Sequence, residues 1–263
     1  MSAPAPAPTG LALFDLTGRV AVVTGGSKGL GLAMASGLAA AGADLVLVSR
    51  HEDEVVATAA RLAAATGRKV VGLQADVTVP ADVERMATRA LEEFGRIDVL
   101  VNNAGVNVRG PIDGLTLEQF QYVNRVNVEG VWLACRAVVP HMKGRKAGRI
   151  VNVSSALGVV GLGDRTPYCS SKGAVVQLTR ALSVELAPFG VTVNAILPGP
   201  FLTEMNLEVK DDPKFLQFIL GATTLGRWGE LHEIQGAAIY LASAASSYTT
   251  GSLLAVDGGW TAR

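Results

Sequence analysis

A phenol and an ammonium four residues apart carry the chemistry of this chain: Tyr168 and Lys172, in the stretch SALGVVGLGDRTPYCSSK that runs from Ser155 to Lys172. Thr166-Pro167 ahead of an apolar repeat (Val175, Leu178, Leu182, Leu186) predicts a helix start, with Thr166 capping the first amides and Pro167 at the first helical position. Four residues of helix bring both side chains to one face. A tyrosine with a pKa of about 10 is a poor proton carrier at neutral pH; a nearby positive charge favours the phenolate and moves the pKa toward the working range of a general acid-base group. Taken alone, the pair could equally sit on a solvent face, so its meaning depends on its surroundings.

Those surroundings begin at Thr24-Gly25-Gly26-Ser27-Lys28-Gly29-Leu30-Gly31. Glycines after a strand allow a tight turn and close approach to a pyrophosphate, whose charge is met by the amides and dipole of the following helix. The spacing is Gly-x-x-x-Gly-x-Gly, which differs from the usual dinucleotide fingerprint. An acidic residue about 20 positions on commonly binds the adenosine ribose, but Asp44 precedes the run Leu45 to Val48, at the wrong end of that strand. Ser49 and Arg50 stand at the right end. A guanidinium can pair with a 2′-phosphate that a carboxylate would repel, so Arg50, helped by Lys28, points to NADP over NAD, with NAD as the second choice. Asp76, followed by Val77, could accept a hydrogen bond from an adenine amino group or cap the helix beginning near Pro80. Asn102-Asn103-Ala104-Gly105 places two amides and two small residues where a cofactor would pass. Asn127, in a mostly apolar helical segment, must be hydrogen-bonded if buried, and either ties helix to strand or belongs to a polar relay.

The elements that must position these residues alternate from Arg19 onward. Strand candidates are Val20-Val23, Leu45-Val48, Val70-Leu73, Val99-Val101, Ile150-Val153, Val191-Ile196 and Leu253-Val256; helical candidates lie around 29–41, 52–65, 81–94, 117–142, 167–187 and 230–243. Strands with little polar alternation, separated by helices, predict an α/β fold: a Rossmann-like, doubly wound parallel sheet of about seven strands, with helices on both faces. Its ligand site lies at the carboxyl ends of the strands, where strand order reverses.

Composition sets the outer bounds. In 263 residues, 49% hydrophobic and 17% charged, there is material for one large core, so we expect a single domain over 16–263 behind a flexible Pro/Ala-rich arm at 1–15. Twenty-three basic residues balance twenty-three acidic ones, which removes the electrostatic footprint of a nucleic-acid binder; Lys143, Arg145, Lys146 and Arg149 read as a solvated turn. Cys135 and Cys169 form no metal-spaced pair, and His51, His141 and His232 are scattered singly, so neither a disulfide framework nor a metal site is expected and a reducing, cytoplasmic setting is the simpler reading. No secretion signal or membrane span is apparent.

Thirteen residues separate Ser155 from Tyr168. Together the glycine loop, Asn102-Asn103-Ala104-Gly105, Asn127, Ser155 and Tyr168-x-x-x-Lys172 resemble the short-chain dehydrogenase/reductase family, from Leu16 to Trp260. The resemblance implies that Tyr168 is the acid-base group, that Lys172 holds the nicotinamide ribose and lowers the tyrosine pKa, and that Ser155 bonds the substrate oxygen. It implies that Asn127 steadies a water linking the lysine to solvent. It also places Pro198, Gly199 and Thr203 against the nicotinamide, followed by a substrate flap around 200–225, and leads us to expect a homo-oligomer, a tetramer or a dimer.

Substrate identity is less legible. Arg109, just past the Asn102 to Gly105 turn, could hold a carboxylate at the mouth of the site or be an exposed loop residue. The chain resembles gluconate-type sugar-acid dehydrogenases and 3-oxoacyl reductases, and its ending Gly258-Gly259-Trp260 leans toward the former. The expectation is therefore an NADP-dependent oxidoreductase acting on a small polar ketone or secondary alcohol. A carrier-bound thioester reductase is the alternative, and a catalytically silent nucleotide-sensing scaffold stands behind both.

Overall fold

In the computed structural model, which describes residues 9–203 and 213–262, the predicted strands all pair in parallel. They are β1 Val20–Thr24, β2 Asp44–Ser49, β3 Val70–Gln74, β4 Val99–Asn102, β5 Gly148–Val153, β6 Val191–Pro198 and β7 Leu253–Val256, in the order β3-β2-β1-β4-β5-β6-β7. The described helices are α1 Gly29–Ala40, α2 Glu52–Thr66, α3 Pro80–Phe94, α4 Leu117–Asn124, α5 Gly130–Arg145, α6 Thr166–Leu186, α7 Pro213–Ala222 and α8 Gln235–Ala242.

The strands are apolar almost throughout because both faces are covered. Successive side chains alternate: Ala21, Val23, Leu45 and Leu47 pack with α1 and α8, whereas Val22, Val46 and Val48 pack with α3, α5 and α6. Each such fully buried valine or leucine side chain contributes about 1.5–3 kcal/mol relative to exposure, so the two cores hold the sheet rigid beneath its loops. Register then aligns the strand ends. Thr24 pairs with Val48 on one side and Asn102 on the other, and Asn102 pairs with Asn152. Strand order reverses between β1 and β4, and the loops after β1, β2, β4 and β5 emerge side by side there.

Several expectations are corrected. The helix expected over 117–142 is interrupted by a π turn, Arg125–Glu129, closed by a bond from Gly130 N–H to the Arg125 carbonyl. Thr166 does not cap α6: it lies inside the helix, Arg165 takes the capping position without a side-chain bond, and the Thr166 carbonyl accepts from Ser170 Oγ. Arg149 is half-buried, not solvated, and donates to the carbonyls of Gly148 and Ser243. The stretch expected as a flap, around 200–225, contains helix α7, which the Pro213 start and the largely apolar segment 215–220 could have signalled, and its residues 204–212 lie outside the described residues. So do residues 1–8 of the expected arm, while Gly10–Phe14 forms a short 3-10 turn. No helix among the described residues is long and apolar enough to cross a membrane.

Candidate active site

The cleft over the β1/β4 reversal has a volume of about 330 Å³. From the first loop it is lined by Gly25, Ser27, Lys28, Gly29 and Leu30; from the second and third by Ser49, Arg50, Asp76 and Val77; from the fourth by Asn103, Ala104 and Gly105. Tyr168, Lys172, Pro198, Gly199 and Thr203 close its other end. Gly31 does not line the cleft. A Cβ there would meet the Gly25 carbonyl oxygen at 2.0 Å and Asn103 Nδ2 at 2.4 Å, so this glycine lets α1 press against the two turns. Gly25 itself has φ +63°, a conformation that favours glycine.

Asn103 braces the same turn, donating through Nδ2 to the carbonyls of Thr24 and Gly25 at 3.2 and 3.0 Å. Its neighbour Asn102 is not a cleft residue: buried under the sheet, it donates to Asn152 Oδ1 at 2.9 Å. Asp76 leaves α3 uncapped and accepts instead from the amide and hydroxyl of Thr78, both at 2.8 Å. Asp44, at the start of β2, pairs with Arg68 at 2.8 Å, away from the cleft. Glu54, in the acidic first turn of α2, was not anticipated. Its carboxylate accepts from Ser27 Oγ and lies 3.6 Å from Lys28 Nζ, and it is held below the usual carboxylate range, first by the Ser27 bond. Lys28 is thus shared between the glycine turn and α2, whereas Arg50 lines the cleft from the end of β2. A Gly-rich turn leading into a helix N-terminus, with a guanidinium at the end of the neighbouring strand, suits a dinucleotide carrying an extra phosphate.

At the other end, α6 lies against the last residues of β5. Lys172 is buried, and its Nζ donates to the Val153 carbonyl at 2.8 Å. Ser154 gives its hydroxyl to the Lys172 carbonyl at 2.8 Å, and Ser155, unlike Ser154, lines a second cavity as well as the cleft. Ser155 is extended at φ −168°, starts a 3-10 turn by accepting from Leu157 N–H at 3.1 Å, and lines both cavities together with Tyr168. Burial raises the Tyr168 pKa above its ordinary value, and the Ser155 side chain acts in the opposite direction. This differs from the expected lowering by Lys172. The ammonium is 5.7 Å from the ring centroid and directed at Val153, and burial draws its own pKa down to about 8.

Asn127 is fully buried in the π turn. The extra residue of that turn points it at the chain after β4, where Oδ1 accepts from Val106 N–H at 2.8 Å and Nδ2 donates to the Val106 carbonyl and to Ser171 Oγ, each at 2.9 Å. Ser171 Oγ in turn donates to the Tyr168 carbonyl at 2.8 Å. Of the two roles left open for this amide, the tie is observed. It joins α6 to the β4 loop, and a Cβ on Gly105 would lie 3.3 Å from Asn127 Oδ1 and 3.5 Å from Lys172 Nζ.

A second cavity, of about 110 Å³, opens beside the first and shares Ser155, Tyr168, Pro198 and Gly199 with it. Arg109 lines it, and so do Arg165, Trp228 and Trp260, which were not among the candidate site residues. Only the folding of α6 against the loop after β4 brings Arg165 to this place.

The comparisons agree with this geometry. A family model described as enoyl-(acyl carrier protein) reductase matches residues 25–261. The 5-keto-D-gluconate 5-reductase of Escherichia coli K12 is 38% identical over 251 residues, covering 94% of this chain and 97% of that protein. The galactitol 2-dehydrogenase (L-tagatose-forming) of Cereibacter sphaeroides is 42% identical over 255 residues, covering 95% and 97%. A gluconate 5-dehydrogenase from Burkholderia cenocepacia J2315, solved in complex with NADP and tartrate, superposes with a TM-score of 0.92 at 38% identity, covering 95% of this chain and 98% of that one. Parallel sheet, glycine turn, Ser-Tyr-Lys cluster and these likenesses agree: the chain belongs to the short-chain dehydrogenase/reductase family of oxidoreductases.

Proposed function

We propose that this enzyme catalyses reversible hydride transfer between NADP and a ketone or secondary alcohol of a small polar substrate of the sugar-acid class. The observation that carries the reading is that Tyr168 and Ser155 line both cavities where they meet, with Lys172 beside them in the first. NADP, when bound, supplies or accepts the hydride. Tyr168 gives a proton to the substrate oxygen in reduction and takes it back in oxidation, Ser155 donates a hydrogen bond to that oxygen as charge develops, and Lys172 orients the ribose and supports the phenol electrostatically. Asn127 acts on the reaction through α6, and the water relay expected of it belongs to the same proposal. Gly25, Ser27, Lys28, Gly29 and Leu30 hold the pyrophosphate, Gly31 keeps their turn in shape, and Ser49 and Arg50 hold the 2′-phosphate. Asp76 and Val77 flank the adenine; Asn103, Ala104 and Gly105 border the ribose; Pro198, Gly199 and Thr203 border the nicotinamide.

NADP is favoured over NAD by the guanidinium at the end of β2, and three solved neighbours carry NADP in their descriptions. The sugar-acid class is favoured by Arg109 in the second cavity and by the named activities of the relatives above. We further propose a cytoplasmic homotetramer. Exposed Leu117, Phe120, Tyr122 and Trp132 on α4 and α5 are the apolar surface such an assembly would bury. The test is a screen of sugar acids, diketones and 3-oxoacyl esters that follows the absorbance of the reduced cofactor. Turnover confined to 3-oxoacyl esters and competed by an acidic carrier protein would overturn the substrate class.

A further inference from the structure

The second cavity holds a guanidinium to which the proposed reaction assigns no role. Arg165 stands three residues before Tyr168 and lines the cavity with Arg109; no Asp or Glu is among the described residues that line it. Two cations facing one small cavity repel each other. The Arg165 pKa is lowered, first by burial and then by Arg109, with the Asp164 carboxylate acting the other way.

The backbone holds the two loops together despite this. Asp164 has φ +57°, an uncommon conformation for a residue other than glycine. Its carbonyl accepts from Gly110 N–H at 3.1 Å and from Arg165 Nη1 at 2.8 Å, so one oxygen joins the loop bearing Arg165 to the loop bearing Arg109. Such a conformation persists where surrounding contacts impose it, and outliers of this kind cluster at ligand clamps. Across the cavity, Trp228 and Trp260 supply flat apolar walls, and Phe218 meets Trp260 edge-on at 5.6 Å between ring centroids. Asn107, also in the lining, has a buried Oδ1 with no hydrogen-bond partner, an acceptor suited to a hydroxyl.

We propose that Arg165 is a specificity-determining residue which, together with Arg109, clamps a terminal carboxylate of the substrate, selecting hydroxy or keto acids over neutral polyols and ketoses. This rests on the reductase reading above and deepens it. Two forked donors facing one cavity match a planar carboxylate.

The test compares the parent with Arg165→Met, Arg165→Lys and Arg109→Met on 5-keto-D-gluconate, a neutral ketose of equal chain length and a ketose phosphate, and measures tartrate binding by calorimetry in the presence of NADP. Loss of one charge-assisted pair should raise KM for the acid, and weaken tartrate, by about ten- to a hundredfold in Arg165→Met. The kcat and the constants for the neutral ketose should stay within about threefold, because the reacting groups are untouched. Arg165→Lys should recover part of the loss, and circular dichroism confirms folding of each variant. If the parent reduces no ketone at all, the reductase reading fails. If it reduces ketones but Arg165→Met leaves acid and tartrate unaffected, or impairs acid and neutral substrates equally, the clamp is wrong and the reductase reading stands. Preference for the ketose phosphate would overturn the carboxylate assignment.

Discussion

Lys172 reaches from α6 to the last residue of β5, with Nζ donating to the Val153 carbonyl at 2.8 Å. The bond fixes where the ammonium stands, but a carbonyl does not neutralise it, and burial alone draws its pKa from 10.5 to about 8. A base whose folded pKa lies below its unfolded value binds fewer protons when folded, so this burial weakens the fold below about pH 8 and the penalty fades as pH rises toward 10.5. The stability of the parent relative to Lys172→Met should therefore increase between pH 7 and pH 10 in urea unfolding. A difference that stays flat over that range would show that Lys172 is not so perturbed.

Tyr168→Phe removes the proton carrier and leaves the ring that borders the cleft. Turnover should fall by about 10²- to 10⁴-fold, the usual contribution of a positioned acid-base group, while NADPH affinity changes little. Rapid-mixing kinetics and fluorescence titration measure the two separately, and comparable turnover in the variant would remove Tyr168 from the mechanism.

Arg50→Asp places a carboxylate where the 2′-phosphate is expected. NADPH affinity should drop by about ten- to a hundredfold, the loss of a charge-assisted pair plus added repulsion, while NADH affinity holds or improves. Titration of both cofactors checks this. A parent without NADPH preference would refute the role given to Arg50.

Asp98 joins the amino ends of the strands, accepting from Val20 N–H at 2.9 Å and from Arg96 Nε at 2.6 Å. Its pKa is lowered: burial alone would raise it, and the Arg96 and Val20 bonds more than offset this. An acid with a depressed pKa stabilises the fold above its unfolded value and loses that contribution as pH falls through the folded one. Asp98→Asn should cost about 2 kcal/mol at pH 7, below the range for fully buried pairs because Arg96 and Arg19 are partly exposed. The gap between parent and variant should narrow below about pH 4, as thermal unfolding would reveal.

Much of this site is legible in the chain because it depends on local pattern. Apolar runs from Val20 to Val23 and from Val99 to Val101 can satisfy their surroundings only as strands covered on both faces, and the residues just after such strands must line the cleft of a parallel sheet. Spacing of that kind says nothing about where a side chain is spent. Asn102 and Asn103 are adjacent and chemically identical, yet one is buried under the sheet and the other braces the glycine turn. Gly31 looks like part of a phosphate loop, but it is required by the close approach of α1 to Asn103.

Local pattern in the chain carried the parallel α/β fold, the Tyr168 and Lys172 pair on one helix face and the guanidinium at the end of β2, since periodicity places such residues without knowledge of distant contacts, and Ser155 joined them through the family resemblance. Tertiary structure decided which partners those groups keep. The π turn that aims Asn127 at Val106, the Glu54 carboxylate on Ser27 and Lys28, and the meeting of Arg165 with Arg109 each join segments far apart in the chain. Such contacts depend on how helices and loops pack over a finished sheet, and no local pattern encodes that packing.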